Sequence, residues 1–130
     1  MDEEKQVRGD EEVTVGELKA LMRQFVKERD WEKYHTPRNL AASVAVEAGE
    51  LLELFQWLTA EEAIDKSLND QVFRRAVGEE LSDVLMYLMS LANVMGLEVG
   101  ETVRKKMIKN KLKYPSDKFK GHYERPISGS

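Results

Sequence analysis

Helical spacing of the apolar residues runs through nearly the whole chain, and it restricts the fold more than any other feature. Only three prolines, at positions 37, 115 and 126, interrupt it. No segment shows the strict alternation of a half-buried strand. A chain of 130 residues is long enough for one domain with a buried core. We therefore predict an all-α fold in which four main helices pack as a bundle.

Capping residues set the expected helix boundaries. Two threonines are each followed three positions later by a glutamate, which predicts a capping box at Thr14–Glu17 and at Thr59–Glu62. Pro37 suits the first turn of a second helix, and Gly96 and Pro115 suit the ends of the last two. The expected helices cover about residues 15–30, 37–58, 60–69, 71–95 and 99–114.

Charge is unevenly distributed, although the net charge is only −4. Residues 1–12 are acidic and lack apolar spacing, so we expect a flexible arm there, a domain over 13–115 and a polar tail over 116–130. Residues 104–125 hold nine basic and two acidic side chains. Such a segment could bind a nucleic-acid polymer, hold the phosphates of a small ligand, or form a solvated helix face.

The composition excludes several classes of protein. The chain has no cysteine, which rules out disulfide frameworks, thiol nucleophiles and cysteine-ligated metal sites. The longest mostly apolar stretch, residues 84–95, is too short for a membrane span, and the acidic start differs from a signal peptide. We expect a cytoplasmic protein with no membrane partner.

Four carboxylates fall on the apolar faces of two predicted helices. Because an α-helix turns about 100° per residue, the pairs Glu47–Glu50 and Glu80–Asp83 each occupy one face, one turn apart. Both pairs lie within or beside an apolar stripe rather than opposite it. The stripes comprise Leu40, Val44, Leu51, Leu54 and Leu58 on one helix, and Phe73, Val77, Val84 and Leu91 on the other.

Such acids repel one another at low dielectric unless a cation or basic side chains compensate them. An oxygen-only set of ligands suits Mg²⁺, with Mn²⁺ as a substitute. The alternative is a helix–helix rim at which Lys or Arg pairs with the acids. A di-iron carboxylate site is excluded, because that class needs Glu-x-x-His and neither His35 nor His122 follows a glutamate at that spacing.

Five ordered segments resemble the MazG-like superfamily of all-α nucleoside triphosphate pyrophosphohydrolases, and in particular its dCTP pyrophosphatase-like branch. The segments are RDWE at 29–32, HTPRN at 35–39, EAGELLELFQW at 47–57, EELSDVLMYL at 79–88 and KMIKNKLKYP at 106–115. Glu-x-x-Glu alone is a weak signal, whereas the ordered set is a specific one.

The resemblance implies hydrolysis of a nucleoside triphosphate to the monophosphate and pyrophosphate with Mg²⁺. By motif position, the catalytic metal ligands would be Glu47, Glu50, Glu80 and Asp83. The phosphate-binding residues would be Lys106, Asn110, Lys113 and Tyr114. The base-binding residues would be Trp31, His35, Trp57 and Tyr87, for which plain core packing is the alternative interpretation.

One position departs from the superfamily pattern. Many members carry two adjacent acids at the first motif, whereas this chain has Val46 there, which removes a candidate general base. Glu53 lies on the same helix but points away from the ligand pair. The resemblance also implies a homodimer or homotetramer with shared active sites, and apolar residues such as Leu52 and Phe55 extend beyond one stripe. The competing functions are a non-catalytic helical module that binds nucleotides or a partner, and a nucleic-acid-binding protein.

Overall fold

The computed structural model describes residues 3–124, and this part of the chain is helical with no β-strand. The predicted all-α fold is therefore confirmed. A short 3-10 turn at Glu3–Gln6 precedes the first main helix, and a second one at Glu32–Tyr34 joins the first main helix to the second. The α-helices are α1 Val15–Glu28, α2 Pro37–Glu53, α3 Ala60–Asn69, α4 Gln71–Met95, α5 Val99–Lys113 and α6 Ser116–Phe119.

Side-chain caps explain where most of these helices begin. Thr59 and Glu62 form the predicted capping box, with N–H to oxygen distances of 3.1 and 3.2 Å. At Thr14 only half of the predicted box forms, because the Glu17 carboxylate pairs with Arg8 instead. The left-handed backbone conformation at Gly96, with φ of 65°, ends α4 as predicted.

The helix containing Glu47 and Glu50 is shorter than predicted. α2 ends at Glu53 rather than near Leu58, and tighter hydrogen bonds, such as Phe55 N–H to the Leu52 carbonyl at 2.9 Å, replace the α-helical ladder. The Phe55 ring then packs edge-on against Phe73 of α4, with centroids 5.2 Å apart. No glycine or proline marks this helix end, so apolar periodicity alone predicted a helix that is too long.

The chain separates into two compact units, one up to Leu97 and one from Glu98 onward. In the first unit, α4 is the central helix: it packs most extensively on α2, next on α1 and least on α3. The buried apolar side chains come from three of these helices and are Val26, Leu40, Phe73, Met89 and Ala92. Polar contacts add to this packing, since the Asn93 amide donates to the Lys19 carbonyl at 2.8 Å and accepts from Arg23 at 2.9 Å.

The second unit contains α5 and the short helix α6, which the sequence did not predict. Tyr114 packs edge-on against Phe119, with centroids 5.2 Å apart, so Phe119 anchors the segment after Pro115. The predicted boundaries at residues 12 and 115 stay predictions, and residues 1–2 and 125–130 of the arm and tail lie outside the described residues. Between residues 3 and 124, no single helix is both long enough and apolar enough to cross a membrane.

Candidate metal centre and adjoining cavity

The packing of α2 against α4 brings three of the four predicted metal ligands together. Glu47, Glu80 and Asp83 each offer one carboxylate oxygen, and these oxygens lie within 4.8 Å of one another. All three side chains are half-buried, whereas Glu50 is exposed. Each acid lies in regular helix, so the arrangement follows from the one-turn spacing of the pairs and the contact between the helices.

The electrostatics of this cluster disfavour four ionised carboxylates. Burial raises the pKa of Glu47 above its ordinary value of 4.5, and hydrogen bonding and negative charge from Glu50 raise it further. Burial also raises the pKa of Glu80, with the charges of Glu50 and Asp83 as the next causes. The acids on the two helices therefore act on one another, and Glu50 contributes to the cluster although it is exposed.

The cluster has oxygen atoms available for a cation. Glu47 Oε2 and Glu80 Oε2 are buried and have no hydrogen-bond partner. No Lys or Arg among the described side chains of residues 6–97 forms an ion pair with any of the four acids. A rim neutralised by these basic side chains therefore does not describe the cluster. An oxygen-only donor set of this kind fits a hard divalent cation such as Mg²⁺ or Mn²⁺.

A cavity of about 450 Å³ begins beside this cluster, between α1, the Trp31–His35 connection and α4. Asp83 forms part of its wall, and so do three of the four predicted base-binding residues, Trp31, His35 and Tyr87. The His35 and Tyr87 rings are tilted against each other with centroids 6.4 Å apart. A flat ring that enters this cavity would therefore meet aromatic side chains next to an acidic ligand cluster.

Sequence reasoning missed the opposite wall of this cavity. On the α1 side that wall is formed by Leu21, Met22 and Phe25, whereas Met86 belongs to α4 together with Asp83 and Tyr87. The α1 residues among them follow helical apolar spacing, and periodicity cannot distinguish a residue that packs from one that lines a cavity. The edge-on contact between Phe25 and Trp31, with centroids 5.7 Å apart, fixes one end of the wall.

Trp57 is the predicted base-binding residue that this cavity does not include. It follows α2 and is 87% exposed, and it does not line this cavity. Its predicted role therefore stays a prediction.

The four predicted phosphate-binding residues lie in the second unit, along α5 and at its end. Their spacing of four, three and one residues places Lys106, Asn110, Lys113 and Tyr114 on one face. Asn110 and Tyr114 are half-buried, and the two lysines are exposed. Lys113 Nζ lies 5.6 Å from the centre of the Tyr114 ring. Their contact with phosphate stays a prediction.

Comparisons with known proteins agree with these features. A family model described as the MazG-like family matches residues 42–125. The chain is 42% identical over 105 residues to human dCTP pyrophosphatase 1 and 41% identical over 104 residues to its Bos taurus counterpart. These matches cover 81% and 80% of this chain but 61% of each relative, so the chain spans about three-fifths of the length of these curated relatives.

A solved structure is also similar. The crystal structure of a pyrophosphatase from Archaeoglobus fulgidus matches with a TM-score of 0.72 and 39% sequence identity. The match covers 84% of this chain and 98% of that one, so the all-α fold is shared over most of both chains.

Proposed function

This chain belongs to the MazG-like family, and from that premise we propose that it hydrolyses nucleoside triphosphates to the monophosphate and pyrophosphate with a divalent cation. The observation that carries the proposal is the convergence of Glu47, Glu80 and Asp83 beside a cavity of about 450 Å³ with aromatic walls. The proposed substrates are dCTP-like or modified deoxynucleotides, by similarity to relatives named dCTP pyrophosphatase 1.

In this proposal, one set of residues binds the cation and another set orients the base. Glu47, Glu50, Glu80 and Asp83 hold the cation, with Mg²⁺ as the proposed ion and Mn²⁺ as a substitute. When bound, the cation supplies the positive charge that the oxygens of a triphosphate require during cleavage. Trp31, His35 and Tyr87 orient the base and exclude water from its faces.

The basic face of α5 is the proposed phosphate-binding element, as the family resemblance implies. Lys106 and Lys113 offer charge, and Asn110 and Tyr114 offer hydrogen-bonding groups, to phosphate oxygens. This role accounts for the basic segment without a nucleic-acid polymer as a partner. The predicted cytoplasmic location stays a prediction.

We also propose that the chain assembles as a homodimer or homotetramer. Large apolar side chains of the first unit remain exposed, among them Leu52 at 63%, Leu68 at 68% and Val72 at 71%. Exposed apolar side chains in such number require a covering surface. Light scattering of the full chain measures the assembly, and a monomer at every concentration would contradict this part of the proposal.

One incubation tests the activity. A panel of nucleoside triphosphates is mixed with the protein in Mg²⁺ or in EDTA, and chromatography separates the products. We expect monophosphate and pyrophosphate in equal amounts, and only with Mg²⁺. Diphosphate with orthophosphate would contradict the proposed bond cleavage. Nucleotide-induced thermal stabilisation without product would instead indicate a non-catalytic binding module.

A further inference from the structure

The connection between α1 and α2, residues 29–36, carries two of the side chains that line the cavity beside the acid cluster. These are Trp31 and His35, and His35 also lines a second cavity of about 440 Å³ that has Ser90 in its wall. Both helices pack mainly on α4. The placement of the two rings relative to α2 therefore depends on what holds the connection between the helices.

The α1 end of the connection is held by main-chain hydrogen bonds. The Trp31 N–H donates to the Val26 carbonyl at 3.0 Å, and the Asp30 N–H donates to the Lys27 carbonyl at 3.1 Å. Asp30 has a left-handed backbone, with φ of 52°, which is the conformation that ends a helix with this pair of bonds. The Trp31 carbonyl in turn accepts from the Tyr34 N–H at 2.9 Å. Both main-chain polar groups of Trp31 are thus bonded, which fixes the Cα from which the indole projects.

The α2 end of the connection is held by the side chain of Asn39. Its Nδ2 donates to the Tyr34 carbonyl at 3.1 Å, and its main-chain N–H donates to the Thr36 hydroxyl at 3.4 Å. The His35 N–H donates to the Glu32 carbonyl at 3.1 Å. The peptide group that precedes the His35 Cα is therefore bonded through both its oxygen and its hydrogen, and the bond to its oxygen comes from α2.

Asn39 also lies at a set distance from the predicted metal ligands. It is in the first turn of α2, and Glu47 follows eight residues later in the same regular helix. Because a helix rises about 1.5 Å per residue, the two residues are about 12 Å apart along the axis. The bond from Asn39 to Tyr34 therefore sets the position of His35 relative to the helix that carries the acids.

We propose that Asn39 is a positioning residue that holds the base-binding wall in register with the cation ligands, an inference that rests on the proposed function. Asn39 is exposed and lines neither cavity, so it acts through the peptide group before His35. A nucleotide has to meet the aromatic wall and the cation at the same time. A wall that is already in place binds the base without an ordering cost, and this cost returns when the Asn39 bond is lost.

The test compares a nucleotide with a ligand that has phosphates but no base. Calorimetry measures the Kd of a non-hydrolysable dCTP analogue and of tripolyphosphate, each with Mg²⁺. We expect Asn39→Ala to raise the Kd of the analogue about three- to tenfold, the range for one hydrogen bond, and to leave the Kd of tripolyphosphate unchanged. Asn39→Gln keeps an amide donor and should recover part of the affinity.

The matched control is Asn69→Ala on α3, outside both cavities. It also removes a helical amide that donates one hydrogen bond, in this case to Asp65 at 2.8 Å. It should change neither Kd. If Asn39→Ala weakens the two ligands equally, its effect is on the fold and the inference is overturned.

Asn39→Asp tests the bond without endangering the helix. A carboxylate is favourable in the first turn of a helix, so α2 should persist. The carboxylate cannot donate to the Tyr34 carbonyl, so we expect it to weaken binding of the analogue as Asn39→Ala does. Unchanged binding of the analogue by both variants would contradict the positioning role.

Turnover separates this inference from the proposed function. Base-dependent weakening by Asn39→Ala, in a protein that releases no pyrophosphate from dCTP, would support this inference and overturn the proposed function. Pyrophosphate release with the same KM for dCTP in the native chain, Asn39→Ala and Asn69→Ala would overturn this inference alone. Failure of the native chain to bind the analogue would overturn both.

Discussion

Glu47 on α2 and Glu80 on α4 bring carboxylate oxygens within 4.8 Å of each other, and each retains a buried Oε2 without a hydrogen-bond partner. Two acids so placed destabilise the fold when both are ionised and no cation lies between them. The same placement makes them available as ligands. The predictions on metal, pH and catalysis depend on this relationship.

Divalent cations should stabilise the folded protein. Because Mg²⁺ or Mn²⁺ binds the folded cluster and not the dispersed acids of the unfolded chain, saturating metal should raise the melting temperature. At a concentration 100 times Kd, the expected gain is about 2.7 kcal/mol. Differential scanning calorimetry with and without EDTA measures this. Glu80→Gln should abolish the response, and Glu53→Gln, an exposed acid on α2, should retain it.

The metal-free protein should lose stability as the pH rises. Glu47 and Glu80 have raised pKa values in the folded state, so the folded chain holds more protons than the unfolded chain above pH 4.5. The stability that these protons contribute is present at low pH and is lost as the pH passes through the raised pKa values.

Urea unfolding in EDTA at pH 5 and pH 7.5 tests this sign. The double variant Glu47→Gln, Glu80→Gln should show a smaller loss between the two pH values than the native chain, since its amides do not titrate. An equal loss in both proteins would mean that other groups govern the pH dependence.

Removing one proposed metal ligand should abolish pyrophosphate release. A bound cation contributes several kcal/mol to the stabilisation of transition-state charge, so we expect Asp83→Asn or Glu50→Gln to lower kcat about a thousandfold. Circular dichroism should show an unchanged fold. Asp65→Asn, on α3 and away from the cluster, is the matched control. Full turnover by Asp83→Asn in saturating Mg²⁺ would be incompatible with the proposed role.

The sequence predicted the acid cluster well because its information is local. A one-turn spacing places Glu80 and Asp83 on the same face whatever the tertiary fold, and their neighbours on the apolar stripe show that this face turns inward. The register between α2 and α4 was not available from periodicity. For this reason, the half-buried Glu47 and the exposed Glu50 were indistinguishable before the structure was known.

The cavities depend on contacts between distant segments, and the sequence predicted them less completely. Met22 and Phe25 have the spacing of core residues, and only the packing of α1 against α4 shows that they line a cavity. Ser90 carried no signal at all, since a serine in a long apolar helix ordinarily satisfies its own hydroxyl. The predicted α2 was too long at its C-terminal end, because the tight turns after Glu53 leave the apolar pattern unbroken.

The two tryptophans should behave differently although both were predicted to bind the base. Trp31 lines the cavity beside Asp83, so Trp31→Ala should raise the KM for the nucleotide about tenfold, because the stacking contact with the base is lost. Trp57 lies outside this cavity and is exposed. If the chain shares its sites within an oligomer, Trp57 acts on the site of a second copy.

Mixing two defective variants distinguishes these roles. Trp57→Ala lacks only the exposed ring, and Asp83→Asn lacks only the ligand. If Trp57 acts across subunits, mixed oligomers should contain sites with an intact ligand cluster and a neighbouring Trp57, and the low KM should return. A mixture of Trp31→Ala with Asp83→Asn is the comparison, because both residues belong to the cavity of one chain and no recovery is expected. No recovery in the first mixture would show that Trp57 does not act in trans.

Ser90→Ala should not destabilise the ligand-free protein, in contrast to most substitutions in a buried helix. The Ser90 hydroxyl is buried without a partner, so its removal relieves a desolvation cost and loses no hydrogen bond. We expect the free energy of unfolding to stay unchanged or to rise by up to about 1 kcal/mol. Ser82→Ala is the comparison, because it removes a hydroxyl that is already bonded to the Gly78 carbonyl. Chemical denaturation of both variants measures the difference, and a clear destabilisation by Ser90→Ala would mean that its hydroxyl is satisfied within the fold.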